Sequence, residues 1–289
     1  MQFDGSQHAW FEERGPKCFL MNMVDDATSR TGATFSAQES IWAAVGVLRK
    51  WVEKYGIPKA LYTDWKNVYV KEPSQKQELR GEVPLTQFGR MCAKLEIRII
   101  AASSPQAKGR VERNHGIHQD RPIKKMRLKQ VTSMAEGNRF LGSYLAEHNR
   151  RFAISAADAK DYHTPVPKGL DLDAVFRLEE TRTISNDWVI SYKGRLLQIR
   201  PQSRHYAPAR SKITVCEWED GRIRIYYRDQ LVEWEEIQQR PSLKKPVVMK
   251  KSVHRAPPGK PASDHPWKQK SFQDMLARKE GAARQAKSQ

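Results

Sequence analysis

The amino-acid sequence predicts an α/β domain built on a mixed five-stranded sheet with flanking helices, followed by a small all-β barrel and a disordered basic tail. Three observations lead to this prediction. Apolar runs typical of strands alternate with amphipathic helical patterns up to about residue 152. Short β-type runs recur from Thr181 to Ile237. Beyond Pro241 the chain is rich in Pro, Lys, Ser and Gln and poor in large apolar residues.

The first 35 residues predict three strands joined by turns, as in an antiparallel meander. A short strand begins at Gln2, the mostly apolar run Cys18–Val24 suits a central strand, and a third strand is expected over residues 30–35. The turn between the second and third strands contains Asp25 and Asp26. Because Asp is frequent in turns, we expect both residues to be turn-forming rather than catalytic.

A long helix and a fourth strand come next. Ser36, with Glu39 three residues later, matches a capping box and predicts a helix start at Ser36. Apolar residues recur at helical spacing along one face of this segment: Ile41, Val45, Leu48, Val52 and Tyr55. A Gly-Ile-Pro sequence ends the helix, and residues 60–63 predict a short strand with Asp64 at its end.

Residues 65–83 are polar and charged, so we expect them to form an exposed excursion from the domain. A second helix is predicted over residues 85–95. Its inward-facing residues are expected to be Phe88, Met91, Cys92 and Leu95. The β-branched run from Ile97 to Ala101 then predicts the fifth strand.

Two further helices complete the α/β part. Two serines that can cap a helix precede Pro105, and proline suits a first helical position, so a helix is predicted from there to about His118. Pro122 lacks an N–H and crowds the preceding turn, so we expect a kink or a restart near Asp120. An amphipathic pattern over residues 133–152 predicts the last helix.

These patterns divide the chain into four parts. Residues 1–152 are expected to form the α/β domain, 153–180 a linker, 181–240 the small β-barrel, and 241–289 the basic disordered tail. The barrel is expected because short strands separated by turn dipeptides are typical of small antiparallel barrels. The tail is expected to be disordered because it has too few large apolar residues to form a core.

The charge of the chain indicates a polyanionic partner. The 289 residues include 51 Lys and Arg against 33 Asp and Glu, a formal net charge of +18. The tail, residues 241–289, carries 12 basic and 3 acidic side chains and so accounts for +9. Because the remaining +9 belongs to the body of the chain, the basic character is not confined to the tail. Nucleic acid is the usual partner of such a protein.

Other sequence features bound the cellular setting. No apolar run approaches the about 20 residues of a membrane span, so we expect no membrane partner. The N-terminus lacks the basic and then apolar pattern of a signal peptide. The three cysteines, Cys18, Cys92 and Cys216, are far apart and form no metal-type pair, so we expect buried, reduced thiols in a cytoplasmic protein.

Three carboxylates stand at related positions in the predicted domain. Asp4 lies on the first strand, Asp64 at the end of the fourth, and Glu112 on the helix after the fifth. If the first and fourth strands are neighbours, Asp4 and Asp64 come together and the helix can supply Glu112. Three clustered carboxylates repel one another unless a cation lies among them, and hard oxygen ligands suit Mg²⁺ or Mn²⁺. Two such ions about 4 Å apart can hold the attacking and leaving oxygens of a phosphodiester in line.

Glu112 also has a simpler interpretation. It stands among Lys108, Arg110 and Arg113, and exposed helices commonly carry mixed charges. A pair between Glu112 and Lys108 across one helical turn would explain the acid without any metal. On these residues alone that surface pairing is the favoured interpretation, and the metal site depends on the other two carboxylates.

Three sequence motifs resemble the DDE core of bacterial insertion-sequence transposases, most closely the ISNCY-type group within the retroviral-integrase superfamily. They are QFDGSQHAWFEERGP with the following LMNMVDDATSRT, then LYTDWKNVY, and then SPQAKGRVERNHGIHQDRPIKKMRL. The resemblance extends over roughly residues 1–240, and its third motif is the specific one. It implies an RNase H-like fold for the α/β domain.

The resemblance also implies functional residues. Asp4, Asp64 and Glu112 match the catalytic, metal-binding triad, which would hold two Mg²⁺ or Mn²⁺ ions. Lys108 and Arg110 fall in the third motif and, with Arg113, are expected to contact DNA phosphates. The implied partners are DNA, both element ends and target DNA, and further copies of the chain in a homo-oligomer on DNA. The implied location is the cytoplasm of a bacterium, in association with the nucleoid.

Two motif residues and two acids have other expected roles. His8 and Trp10 also match the first motif, but the resemblance leaves their role open. His8 is equally consistent with a neighbour of DNA or metal and with an ordinary structural histidine. Glu12 and Glu13 are expected to be a solvated pair.

Two departures from the family pattern affect the function. Asp64 and Glu112 are 48 positions apart, longer than in most integrase relatives, and the polar segment 65–83 accounts for the difference. Relatives also carry helix-turn-helix domains ahead of the core, whereas Met1 lies three residues before Asp4. We therefore expect a fragment, a misassigned start or the remnant of a decayed element.

Three functions remain open at this point. The first is a transposase catalytic region that performs DNA cleavage and strand transfer. The second is an RNase H-like nuclease, against which the basic C-terminal barrel argues mildly. The third is a truncated, non-catalytic DNA-binding remnant or regulator of a full-length transposase. The intact acids argue against this third possibility, whereas the absent N-terminal domain favours it.

Overall fold

A computed structural model describes residues 1–64, 68–69, 71–81, 84–102, 108–200, 207–241, 259, 262, 264–265 and 273–280. Its centre is a mixed five-stranded sheet in the order β3-β2-β1-β4-β5. The first three strands pair antiparallel, whereas β4 runs parallel to both β1 and β5. The strands are β1 (Gln2–His8), β2 (Cys18–Val24), β3 (Thr31–Ser36), β4 (Ala60–Thr63) and β5 (Arg98–Ala101). The predicted meander is confirmed, and β1 and β4 are neighbours, which is the condition for bringing Asp4 and Asp64 together.

Helices follow the strands in the order that the sequence predicts. They are the 3-10 turn Glu12–Arg14 and the α-helices α1 (Ile41–Tyr55), α2 (Gln75–Glu78), α3 (Gln87–Lys94), α4 (Gly109–Leu128), α5 (Met134–Phe152) and α6 (Leu172–Val175). The four residues predicted to face inward from α3 are all buried, as expected. The capping box of α5 forms between Ser133 and Glu136, which explains why that helix begins where the sequence indicates.

The predicted start of α1 is wrong. Ser36 is the last residue of β3 and pairs with Phe19 of β2. The helix begins at Ile41, and Ser40 is its N-cap, whose side chain accepts a hydrogen bond from the Ala43 main chain. Ser36 matched a capping pattern, but strand pairing with β2 satisfies its main chain instead. The long-range ladder therefore decided this boundary.

The predicted restart of the helix near Asp120 is also wrong. The helix α4 runs unbroken from Gly109 to Leu128 with Pro122 inside it. Proline removes one main-chain donor, whose acceptor in a regular helix would be the carbonyl of His118. Because Pro122 is buried, tertiary packing compensates for that loss. The predicted start at Pro105 lies outside the described residues.

The two faces of the sheet carry separate apolar cores, and β2 shows why. Met21 and Met23 face a core shared with α1 and α3, whereas Leu20 faces a core shared with α4 and α5. Alternate residues of a strand point to opposite faces, so a strand covered on both sides must be apolar throughout. The polar exception in β2 is Asn22, which is fully buried.

The segment 65–83 is only partly the exposed excursion that the sequence predicts. Several of its described residues are exposed, including Leu79. Tyr69, however, is buried and contacts the rings of Phe3 and Phe88 in the core. The Thr86 hydroxyl donates to the Tyr69 carbonyl at 3.2 Å and so anchors this segment next to the start of α3.

The C-terminal part of the ordered chain forms two antiparallel sheets around one apolar core. A four-stranded sheet has the order β11-β10-β9-β6, and a three-stranded sheet has the order β12-β8-β7. Residues of both sheets bury their apolar side chains in this common cluster. The strands are β6 (Leu178–Thr183), β7 (Val189–Tyr192), β8 (Arg195–Ile199), β9 (Lys212–Glu217), β10 (Ile223–Tyr227), β11 (Gln230–Val232) and β12 (Trp234–Ile237). The all-β character agrees with the prediction, and closure into a barrel stays a prediction.

Part of the predicted linker, residues 153–180, belongs to the folded body. Thr164 forms an isolated bridge with Ile57, and Val175 and Phe176 are buried in the core shared with α1 and α3. Residues Met1–Pro241 accordingly make one compact unit. The second unit, Ser242–Gln289, contains a helix over residues 273–280. The remaining prediction for the tail falls largely outside the described residues.

Two bulk expectations can be compared with the structure. Cys18, Cys92 and Cys216 are buried and free, as the sequence predicts, and burial raises the pKa of the Cys18 thiol to about 11. Within the part of the chain that the structure describes, no helix is both long enough and apolar enough to span a bilayer.

Candidate active site

Asp4 and Asp64 come together where the neighbouring inner strands β1 and β4 of the central sheet lie side by side. Gln2 of β1 is in register with Tyr62 of the parallel neighbour β4, so residues two positions further along each strand lie at the same level. Asp4 is therefore opposite Asp64, which directly follows β4. Both carboxylates contact the ammonium group of Lys108, which is the residue immediately before α4. The structure thus brings together two of the three predicted triad residues.

Lys108 lies between the two carboxylates. Its Nζ is 3.4 Å from Oδ2 of Asp4 and makes a closer ion pair with Oδ1 of Asp64. The Lys108 side chain is only 7% exposed. His115, one turn beyond Glu112 on the same helix, places Nε2 3.8 Å from Oδ2 of Asp4. A buried lysine requires such pairing because desolvation of an uncompensated charge is costly.

Glu112 is in the first turn of α4 and is exposed. Within the described residues its carboxylate makes no hydrogen bond or ion pair, and no group of three His, Cys, Asp or Glu side chains is placed to hold a metal ion. The pairing of Glu112 with Lys108, which the sequence favoured on local grounds, is wrong because Lys108 turns to Asp4 and Asp64 instead. The third triad role of Glu112 stays a prediction.

The other two predicted DNA-binding residues lie on the first turns of α4. Arg110 donates from Nε to Asp26 at 2.8 Å and from an Nη to the Ser29 hydroxyl at 3.4 Å. Its side chain is nevertheless substantially exposed, and Arg113 is exposed as well. Their contact with DNA stays a prediction.

Gln2 attaches the beginning of α4 to the strand that carries Asp4. Its side-chain oxygen accepts hydrogen bonds from the main-chain nitrogens of Arg110 and Val111, each at 3.0 Å. Its amide nitrogen donates to Asp26 at 2.8 Å. The first N–H groups of a helix have no partner within the helix, so a side chain from another element can satisfy them. Gln2 was not predicted, because its partners are distant in sequence.

A buried polar chain holds α4 against the sheet farther along the helix. Asn22 of β2 donates its amide to Asn114 at 2.8 Å, and Asn114 donates to the hydroxyl of Thr31 at 3.1 Å. All three residues are buried. The hydrogen bond between these two buried amides can form in only one register of helix and strand, so it restricts the position of the helix that bears Glu112.

The core side of the site contains two residues that sequence reasoning missed. The Tyr69 hydroxyl donates to Glu39 at 3.2 Å, and burial together with the charge of Glu39 raises the pKa of Tyr69. The Glu39 carboxyl also lies against Gly5, the residue after Asp4, where an added Cβ would be 3.2 Å from it. A glycine next to Asp4 therefore lets Glu39 approach the strand. The Asp4–Gly5 pair in the sequence is the signal that could have indicated this close approach.

The remaining acids of the first motif have structural contacts. Asp25 accepts hydrogen bonds from the main chain and hydroxyl of Thr28, so its turn-forming role is confirmed. Asp26 has an additional role because it bridges Gln2 and Arg110. Glu12 is partly exposed and pairs with Arg127, and this hydrogen bond lowers the pKa of Glu12, whereas Glu13 is exposed.

Trp10 and His8 have different surroundings. Trp10 is fully buried in the core shared with α4 and α5, and its indole N–H donates to the Ser6 carbonyl at 3.2 Å. Trp10 therefore has a packing role in this core. His8 is partly exposed and its ring packs edge-on against Trp10 at 5.3 Å between centroids.

Asp4 and Asp64 are the described carboxylates that could contribute ligands to a divalent cation. Asp4 and Asp64 approach each other from adjacent strands and already share one positive group, which shows that a cation suits the space between them. Carboxylate oxygens are the preferred ligands of Mg²⁺. The Lys108 ammonium thus stands in for a divalent ion at this position. The protein is an α/β protein with a candidate cation site where the inner strands β1 and β4 lie side by side.

Comparisons with known proteins identify the family. A protein of Sinorhizobium fredii (strain NBRC 101917 / NGR234) named "Putative transposase y4bF" is 33% identical over 230 residues, 79% of this chain and 50% of its own length. The "Transposase for insertion sequence IS1202" of Streptococcus pneumoniae is 30% identical over 289 residues, 96% of this chain and 59% of its own length. The chain belongs to the insertion-sequence transposases. It spans about half the length of these curated relatives.

Solved structures of retroviral integrases are also similar to the chain, at 17% identity. The HTLV-2 integrase catalytic core domain in complex with magnesium has a TM-score of 0.36 and is matched over 49% of this chain and 81% of that one. The simian T-cell lymphotropic virus intasome in complex with PP2A regulatory subunit B56 gamma has a TM-score of 0.39, over 82% and 75% respectively. No family model matches the chain.

Proposed function

We propose that this chain carries the catalytic region of a DDE transposase, which cleaves DNA and transfers the cut strand to target DNA with divalent metal ions. The observation that carries the proposal is that the carboxylates of Asp4 and Asp64, from two neighbouring strands, both contact the Lys108 ammonium. The transposase relatives and the net charge of +18 support a DNA substrate. Element ends and target DNA would both be bound.

Asp4 and Asp64 would hold Mg²⁺ or Mn²⁺, with Glu112 as the third ligand and two ions in the complete site. Bound ions of this kind activate an oxygen nucleophile and neutralise charge that develops on a phosphodiester. Glu112 stands four residues after Lys108 at the beginning of α4, whose position Gln2 sets relative to Asp4. The three acids would thereby act from one strand, the end of the adjacent strand and one helix.

No protein nucleophile is required in the proposed reaction. Water would attack the phosphodiester at an element end and leave a free 3′-hydroxyl. That hydroxyl would attack target DNA in a second displacement. In both steps Asp4, Asp64 and Glu112 would bind and orient the divalent ions. None of the three would itself attack the phosphodiester, because carboxylates engaged as metal ligands are poor nucleophiles.

The basic residues would bind the DNA backbone. Arg110 and Arg113 are exposed on the first turns of α4, next to the carboxylate pair. The C-terminal strands and the basic tail would add further phosphate contacts. Each contact adds about −0.9 to the slope of log affinity against log salt concentration, so several of them produce a steep salt dependence. Several copies of the chain would assemble on the paired ends.

The test is Mn²⁺-dependent nicking of an end-labelled duplex by the full chain. We expect nicking by the wild type, its loss in Asp64→Asn, and its loss in Glu112→Gln if Glu112 is the third ligand. The control variant is Glu13→Gln, because Glu13 is exposed and belongs to no predicted site. Glu13→Gln should nick as the wild type does.

Other outcomes distinguish the alternatives. Nicking that persists in Asp64→Asn would contradict the carboxylate site. DNA binding of equal strength in all variants, with no cleavage by any, would indicate a non-catalytic DNA-binding protein. Cleavage by the wild type without any joined product from a target duplex would indicate a nuclease of the same fold rather than a transposase.

A further inference from the structure

We propose that Lys108 is an internal cation that holds the Asp4–Asp64 pair in the metal-free protein and must leave the pair when a divalent ion binds. This inference rests on the proposed metal site and adds a competing group to it. It predicts that Lys108 lowers the affinity of the Asp4–Asp64 pair for a divalent ion. Lys108 would therefore be a positioning residue, which acts on the cofactor through the two carboxylates.

The contacts of Lys108 place its charge where both carboxylates can share it. Nζ contacts Oδ1 of Asp64 and lies 3.4 Å from Oδ2 of Asp4, and the side chain is almost fully buried. Two carboxylates from adjacent strands repel each other, and the repulsion increases as water is excluded. One ammonium between them relieves that repulsion. Lys108 therefore stabilises the arrangement that the metal ion would need.

The same position obstructs metal binding. Mg²⁺ takes oxygen ligands at about 2.0–2.1 Å, closer than an ammonium approaches them, and it requires nearly regular geometry. A divalent ion between Asp4 and Asp64 would need the space that the Lys108 ammonium occupies, and the two positive charges would repel each other at this short distance. Binding of a divalent ion at this pair must therefore break the Lys108 contacts, and the measured metal affinity includes the free energy of that exchange.

The local structure allows Lys108 to withdraw without moving α4. Lys108 precedes the first residue of the helix and has non-helical main-chain angles, φ −121° and ψ 17°. The helix itself is tied to β1 by the Gln2 hydrogen bonds to Arg110 and Val111. A lysine has a flexible four-carbon stem, so its ammonium can move by several ångströms through side-chain rotation alone. Glu112 would keep its place during the exchange.

The test compares Mn²⁺ binding by the full-length wild type and by Lys108→Met, with titration calorimetry and no DNA present. Methionine keeps the length of the side chain and removes the charge. We expect Lys108→Met to bind Mn²⁺ at least about tenfold more tightly at unchanged stoichiometry, because a competing unit charge within 4 Å is removed. In EDTA the variant should have a lower Tm than the wild type, and Mn²⁺ should raise its Tm by more.

Two controls assign the effect to this pair. Lys124→Met changes an exposed lysine of the same helix, which pairs with Asp120, and should leave Mn²⁺ affinity unchanged. Adding Asp64→Asn to Lys108→Met should abolish the gain in affinity. Equal or weaker Mn²⁺ binding by Lys108→Met than by the wild type would overturn the proposal, as would the absence of Mn²⁺ binding in both proteins.

The outcomes also separate this proposal from the proposed function. If the wild type nicks DNA but Lys108→Met binds Mn²⁺ no more tightly, only the role of Lys108 fails. If Lys108→Met binds Mn²⁺ more tightly through Asp64 and neither protein cleaves DNA, the exchange stands and the transposase activity fails.

Discussion

The side-chain oxygen of Gln2 lies 3.0 Å from the main-chain nitrogen of Arg110, and this hydrogen bond joins the strand of Asp4 to the helix of Glu112. A second bond of the same length goes to the nitrogen of Val111. Two of the three proposed metal ligands are therefore positioned relative to each other by one buried amide. The geometry of the site depends on this amide as well as on the acids themselves.

Replacing Gln2 should destabilise the protein and disturb the site. In Gln2→Ala two N–H groups at the beginning of α4 lose their acceptor, and each buried unsatisfied group costs about 1–3 kcal/mol. We expect the free energy of unfolding in urea to fall by at least about 2 kcal/mol, since solvent can satisfy these groups only in part. Gln7→Ala, at an exposed position of the same strand, is the matched control. Equal stability of the two variants would contradict the role of Gln2.

Asn22 and Asn114 should be energetically coupled. Their buried amides are joined by a 2.8 Å hydrogen bond, so removal of either leaves the other unsatisfied. Asn22→Ala and Asn114→Ala should each lower the free energy of unfolding by about 1–3 kcal/mol. The double variant should lose less than the sum, with a coupling of about 0.5–3 kcal/mol. Strictly additive losses in chemical unfolding would show that the bond contributes no coupling.

The protein should lose stability as the pH falls below about 6.5, because of buried histidines on α4 and α5. Burial, together with the charges of nearby His148 and His115, lowers the pKa of His118 to about 3, and burial also lowers the pKa of His148. Tyr144 faces the same His118 ring. A histidine whose pKa is lower in the folded than in the unfolded state stays neutral in the folded protein while the unfolded chain takes up a proton. Its contribution to stability is complete above the unfolded pKa, and the free energy of unfolding falls as the pH drops below that value.

The expected slope is about 1.4 kcal/mol per pH unit for each such histidine below the unfolded pKa of about 6.5. Urea unfolding of the wild type between pH 7 and pH 5 measures it. His118→Phe, which keeps a ring and cannot be protonated, should have a shallower pH dependence over that interval. An unchanged slope in His118→Phe would show that His118 is not the responsible group.

Glu179 should hold the C-terminal strands against α3. It pairs with Lys94 at 2.7 Å and with Arg90 at 3.0 Å, and these two cations belong to α3. Although burial opposes ionisation, hydrogen bonds from Lys94 and Arg177 lower the pKa of Glu179. Breaking a buried pair typically costs about 3–5 kcal/mol, and for this partly exposed pair we expect about 2–3 kcal/mol in Glu179→Ala.

Limited proteolysis of the full chain provides the second measurement for Glu179. Cleavage in the segment between α5 and β6 should be faster in Glu179→Ala than in the wild type. The neighbouring Glu180→Ala is the control, because Glu180 pairs with Arg182 of its own strand rather than with α3. If both variants are cleaved equally fast, the contact of Glu179 with α3 does not hold the two parts together.

Local sequence patterns predicted elements that form through their own residues. The amphipathic pattern of α5 and the apolar face of α3 are examples, because helical faces depend on residues within a few positions of each other. Where a competing long-range contact existed, the local prediction was wrong. Ser36 joined the ladder with β2, and Pro122 was accommodated inside α4 by burial.

For the site, the sequence by itself determined which carboxylates were candidates and that Asp4 and Asp64 would meet if the first and fourth strands were neighbours. Only the tertiary structure decided that Asp4 and Asp64 share the Lys108 ammonium and that Gln2 and Asp26 support the start of α4. Local spacing favoured Lys108 as the partner of Glu112, four residues away. The competing partners are about 44 and 104 positions distant in sequence, and only folding brings their charges within reach, where two carboxylates attract an ammonium more strongly than one exposed carboxylate does.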